Sequence, residues 1–115
     1  MRMEAILNVK FYRSSAADEP VRVWLKEEVS AEARKAIGGD IKTVQLGWPL
    51  GMPLVRKMGD RLWEVRSSIP EGIARVMFTT VQRDMVLLHG FVKKSQKTPT
   101  SDLELARKRR DEVII

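Results

Sequence analysis

The chain has 115 residues, 43% of them hydrophobic, and carries 21 Lys+Arg against 15 Asp+Glu, for a formal charge of +6 and an isoelectric point near 10. That length suits one domain, residues 1–115, and the apolar share is too high for a disordered chain. The lack of cysteine excludes a disulfide framework and a thiolate metal site, and a lone histidine argues against a catalytic metal.

The first segment, "MRMEAILNVKFYRSS", has a short apolar patch broken by Asn8 and Lys10, unlike a signal peptide. Its "EAILNVKFY" alternates as a strand does, with Ile6, Leu7, Val9 and Phe11 supplying apolar faces. "SSAADEP" breaks the pattern. Asp18 is an expected N-cap, and Glu19 and Pro20 suit the first turn of a helix through "VRVWLKEEV". Ser30 is expected to cap a second helix, on which Ala33, Ile37, Ile41 and Val44 fall at helical spacing. Gly38 and Gly39 weaken that helix by about 1 kcal/mol each and invite a kink, and Gly47 and Pro49 end it.

"GWPLGMPLVRKMGDR" reads as a connector whose Pro and Gly exclude regular structure until about Pro53. Three strands are then expected in "RLWEVRS", "IARVMFTTV" and "MVLLHGFVK", separated by "SIPEG" and "QRD" as in an antiparallel meander. A last helix is expected in "TPTSDLELARKRRDEVI", capped by Thr98 or Ser101, with acids early and Arg107 to Arg110 late. No apolar run approaches the roughly 18 residues of a membrane span, so no membrane role and a cytoplasmic location are expected.

The outline is an α+β domain: a small twisted, mainly antiparallel sheet, two N-terminal-half helices packed on one face, and a C-terminal helix. The other sheet face is then open to function. A hairpin loop at Ile69 to Gly72 would set Ser68 opposite Ile73, Ser67 opposite Ala74 and Arg66 opposite Arg75. Like charges across a strand pair repel, so the two arginines either splay into water or share an anion.

After the last strand come Lys93, Lys94 and Lys97. They suit phosphate contacts, and they equally suit a charged edge that blocks sheet-to-sheet pairing. His89 lies inside the apolar run; it is read as a packed residue or as an acid/base group. Trp24, Trp48 and Trp63 read as packing residues, with Trp48 the one candidate for exposed base stacking. The helix segment "ARKRRDEV" is read as a solvated face, or as a contact for phosphates or an acidic partner.

Taken in order, "LWEVR", "ARVMF", "LLHGFVKKSQKTP" and "DLELARKR" resemble the RelE/ParE superfamily of toxins, closest to its HigB-like branch of phage-derived host-inhibition proteins. The resemblance covers roughly residues 38 to 112. It implies a RelE-like fold and a toxin of a type II toxin–antitoxin pair. It implies an endoribonuclease that cuts mRNA on the ribosome without metal or cofactor. An activated ribose 2′-hydroxyl attacks the adjacent phosphate while basic side chains stabilise the transition state. The implied partners are mRNA on the ribosome and a helix-turn-helix antitoxin of the HigA type.

By the same resemblance Arg75 binds the reacting phosphate, with Arg66 and Lys94 beside it as catalytic cations. Lys93 and Lys97 bind RNA, and Lys57 or Arg61 stands in for lysines that some relatives carry on the strand "LWE". His89 is not clearly the histidine of some relatives, and the only tyrosine, Tyr12, is far from the C-terminal tyrosine of others. Two rivals share the scaffold: a ParE-like gyrase poison, and a non-catalytic RNA- or protein-binding module.

Overall fold

A computed structural model describes residues 6–114; Met1–Ala5 and Ile115, and with them the start of the first expected strand, lie outside the described residues. The elements in chain order are β1 (Asn8–Phe11), α1 (Pro20–Glu27), α2 (Ala31–Gly47), β2 (Val55–Gly59), β3 (Leu62–Ile69), β4 (Gly72–Val81), β5 (Asp84–Lys93) and α3 (Thr100–Val113). They form an α+β fold around one five-stranded sheet of order β1-β5-β4-β3-β2. β2 to β5 are an antiparallel meander, and β1 joins the far edge parallel to β5.

Side-chain alternation divides the sheet between two cores. On one face Val65, Val76, Phe78 and Leu87 pack with Val21, Trp24, Ile37 and Val44 of α1 and α2. On the other, Leu62, Met77, Leu88 and Phe91 pack with Ala106 and Leu103 of α3. The second face is therefore not wholly open: α3 covers one part and leaves the rest. Ala33, Ile37, Ile41 and Val44 are buried as their spacing requires.

Ser30 caps α2, its hydroxyl accepting from the Ala33 N–H at 3.1 Å. The helix runs unbroken to Gly47, because Gly38 and Gly39 lie exposed with no neighbour to bend them. Two expected caps are corrected. Glu19, not Asp18, precedes α1, and Pro20 takes its first turn; Asp18 instead donates its backbone N–H to Ser14 Oγ at 3.2 Å. Pro99 precedes α3, because the Thr98 hydroxyl is engaged elsewhere, on the Glu64 carboxylate at 2.9 Å.

The connector gives way to β2 two residues after Pro53, past the stretch that its Pro and Gly exclude from regular structure. Trp48 is not a free stacking platform. It meets Trp63 edge-on at 5.0 Å and Phe78 at 5.4 Å in the helix-side core. Among the described residues no helix is long and apolar enough to cross a membrane.

Candidate functional site

The β3–β4 hairpin has the register its loop implies. Ile69 pairs with Gly72, Ser68 with Ile73, Ser67 with Ala74, and Arg66 with Arg75. Gly72 has φ +142°, and a Cβ there would lie 3.1 Å from the Lys93 carbonyl oxygen, so the turn needs glycine on both counts. Arg66 and Arg75 thus share the face away from α1 and α2.

A bulge in β5 decides what joins them. Met77 pairs with His89 but Phe78 with Leu87, so Leu88 is an extra residue and the alternation flips. Beyond the bulge Phe91 lies opposite Arg75 and Lys93 opposite Ile73. Both then point to the arginine face. On the outer strand Arg56 pairs with Glu64 and joins the same face, while Lys57 pairs with Trp63 and falls on the helix side.

Arg75 is fully buried. Its guanidinium donates from Nη1 to the Lys97 carbonyl at 2.9 Å and from Nη2 to the Ser95 carbonyl, and it sits 5.8 Å from the Phe91 ring centroid. Its Nε has no hydrogen-bond partner. Burial pushes this guanidinium below its ordinary pKa; Glu64 opposes that, and Arg66 and Arg56 add to it. Glu64 is also fully buried, with Oε2 accepting from Thr98 and Oε1 3.8 Å from Arg66 Nε.

The segment after β5 therefore folds back over the sheet and is pinned from beneath by Arg75 and Glu64. Arg66 holds its rim, donating from Nη2 to Gln96 Oε1 at 2.7 Å. Only 9% of the Arg66 side chain is exposed. An arginine fork has five N–H donors, so donors remain for an anion.

Beside Arg66 opens a cleft of about 590 Å³. Ala36 and Asp40 of α2 form one wall, Met52, Pro53 and Leu54 of the connector another, and Arg66, Ser68, Ile73 and Gln96 the third. Lys93 pairs with Ile73 of the cleft wall, Lys94 lies against Gly72, and Lys97 follows Gln96; these three and Arg56 of β2 are exposed. A cleft with cationic borders and an apolar wall suits a nucleotide: phosphate outside, base within.

The expected site residues divide as follows. Arg66, Lys93, Lys94 and Lys97 come together at the hairpin end of the sheet. Arg75 lies directly beneath them, and its placement gives it no open surface for a phosphate. Arg61 occupies the β2–β3 turn at the opposite end of the sheet, with φ +52° and a hydrogen bond to the Thr80 carbonyl at 3.0 Å. Five residues of strand separate it from Arg66, about 17 Å. Lys57 and Arg61 are thus not placed to support the cleft, the first by face and the second by distance.

His89 is half-buried on the α3 side, its Nε2 2.6 Å from Asp102 Oδ1 and its ring stacked on Phe91 with centroids 5.6 Å apart. Two of the four basic residues of the last helix are tied down, while Arg107 and Lys108 are exposed. Arg109 donates to the Leu88 carbonyl at 2.7 Å, and Arg110 to the Asp60 carbonyl at 2.7 Å. Sequence reading missed Arg56, Asp40, Met52 and Gln96. Arg56 was within reach once β2 is recognised, since it pairs with Glu64; the other three come from loops and a helix whose approach the sequence does not mark.

The family model described as phage-derived protein Gp49-like (DUF891) matches residues 24–111, from α1 to near the end of α3. No curated protein matches the chain.

Proposed function

We propose, for a chain that belongs to the phage-derived Gp49-like family, a family of RelE-like toxins, that it is the toxin of a toxin–antitoxin pair and cuts mRNA on the ribosome. The observation that carries this reading is the cleft beside Arg66, with exposed Lys93 paired to its wall residue Ile73 and Lys94 and Lys97 on the segment that follows. In the reaction the ribose 2′-oxygen bonds to phosphorus while the bond to the 5′-oxygen breaks. The 2′-hydroxyl loses its proton and the 5′-oxygen gains one, leaving a 2′,3′-cyclic phosphate and a 5′-hydroxyl.

Charge builds on the phosphoryl oxygens in that transition state. Guanidinium and ammonium donors held at the cleft offset that charge. Arg66 and Lys94 take this role, and Lys93 and Lys97 bind flanking phosphates. Arg75 acts through the segment it pins rather than by touching substrate. His89, packed between Phe91 and Asp102, serves the α3 interface. The partner that restrains the toxin is a helix-turn-helix antitoxin of the HigA type, as in the HigB-like branch, and the site of action is the cytoplasm.

The test is induced expression with and without the neighbouring gene, followed by mapping of mRNA 5′ ends. Breaks within translated codons, suppressed by the neighbour and lost in Arg66→Ala, are expected. Intact mRNA with broken DNA would overturn this in favour of a gyrase poison. Intact nucleic acids with salt-sensitive RNA binding would leave only a binding module.

A further inference from the structure

We infer that the cleft beside Arg66 is a guanine pocket, and that Asp40 is the residue that chooses the base. The inference rests on the reading of this cleft as an RNA site. It begins from an acid in the wrong place for phosphate. Asp40 lines a cleft whose other charged wall residue is Arg66. It is half-buried, and no hydrogen bond or ion pair engages its carboxylate among the described residues. A carboxylate there repels a phosphate, so the part of the ligand that faces it must bring hydrogen-bond donors.

The wall between Asp40 and Arg66 is mainly apolar, from Met52, Leu54 and Ile73. Met52 is 62% exposed on that wall, so its thioether side chain is available to lie against the face of a flat ligand. A cleft of about 590 Å³ lies in the range of small-molecule sites and admits one nucleotide. With its phosphate toward Arg66 and Lys94, the base would lie over the apolar wall and its Watson–Crick edge would meet Asp40.

An ionised carboxylate only accepts hydrogen bonds. Guanine offers two adjacent donors, N1–H and the 2-amino group, which two carboxylate oxygens accept together. Adenine and cytosine set an amino donor beside a ring acceptor, so one lone pair would face the second oxygen. Uracil flanks its single N–H with two carbonyls. Geometry and charge therefore favour guanine among the four bases.

The test titrates GMP, AMP, CMP and UMP into the full chain and reads the Met52 methyl signal by NMR. GMP should bind about tenfold or more tighter than AMP, as expected for one bidentate base contact. Asp40→Asn replaces one acceptor with a donor and should shift preference from GMP toward AMP. Equal affinity for the four nucleotides, or a GMP preference that survives Asp40→Asn, would overturn the inference. Should that variant not fold, the wild-type series decides alone: a Met52 shift with GMP and not with AMP supports the pocket, and its absence removes it. Failure of the cleavage reading looks different. Uncut mRNA with intact GMP selectivity removes the nuclease and leaves the pocket, whereas cleavage with no guanine bias removes the pocket and leaves the nuclease.

Discussion

Arg66 and Arg75 stand directly opposite one another on β3 and β4, and the same short stretch, Ser95 to Lys97, holds both guanidinium groups. Arg66 takes the Gln96 side chain at the rim, and Arg75 takes two backbone carbonyls underneath. Carbonyl dipoles and the buried Glu64 offset the repulsion that two paired arginines would otherwise carry.

This division predicts two different losses from two similar substitutions. Arg75→Ala empties a buried site, frees two carbonyls and leaves the buried Glu64 with Arg66 as its nearby guanidinium. A cost of about 3 kcal/mol is expected, with faster amide exchange in residues 95 to 97. Arg66→Ala should cost less than half of that, yet lower mRNA cleavage on the order of 10²–10³-fold. Urea unfolding and cleavage rates of both variants check the split. Equal stability losses would show that Arg75 does not pin the segment.

Salt dependence tests the basic rim separately from catalysis. If Lys93, Lys94 and Lys97 each neutralise a phosphate of single-stranded RNA, log K should fall with log salt by about 0.7 per contact. Each Lys→Ala change should then reduce the slope by about that amount and weaken binding to all sequences alike. Lys57→Ala, on the opposite sheet face, and Arg61→Ala, at the far end, should leave the slope unchanged. A slope that responds to Lys57 as strongly as to Lys94 would place the RNA elsewhere.

Much of this arrangement is legible in the chain. The β3–β4 register follows from a two-residue turn and strict alternation, so the Arg66–Arg75 pair could be read directly. Ser30 and the apolar spacing of α2 define that helix equally well. Three features escape for physical reasons. The bulge at Leu88 adds one residue to β5, and alternation counted from Leu87 would put Phe91 and Lys93 on the helix face. Arg75 looks like a surface cation until the following segment folds back over it, a tertiary contact that no local pattern marks. The cleft wall comes from α2 and the connector, 12 residues apart between Asp40 and Met52 in the chain, so only the assembled fold brings them beside Arg66.

Gly90 provides a packing test of the helix side. A Cβ at Gly90 would lie 2.4 Å from Trp24 Cε3 and 2.5 Å from Cζ3, inside the ring's contact distance. The six-membered ring of the indole comes up against the strand where glycine leaves room, and that close approach seats α1 on β5. Gly90→Ala should push the ring away and destabilise the fold by about 1–3 kcal/mol. The midpoint of urea unfolding should fall, with a shift in tryptophan emission of the folded state. An unchanged midpoint would mean that α1 does not rest on this contact.

Tyr12 reports on the other side, where α3 meets the end of β1. Its hydroxyl donates to Glu112 Oε2 at 2.9 Å, and the Arg109 guanidinium lies 5.2 Å from its ring centroid. Burial raises the phenol above its ordinary pKa, the hydrogen bond to Glu112 and that residue's charge raise it further, and Arg109 opposes them. The native state therefore holds the phenol proton more tightly than the unfolded chain does. Its contribution to stability is constant below the unfolded value, about 10, and is lost as pH rises through the folded value. Because Tyr12 is the only tyrosine, phenolate absorbance follows this one group. The midpoint should lie above that of free tyrosine, and Glu112→Gln, by removing the charge, should lower it. A midpoint at the ordinary value in the wild-type chain would show that α3 is not docked on Tyr12 in solution.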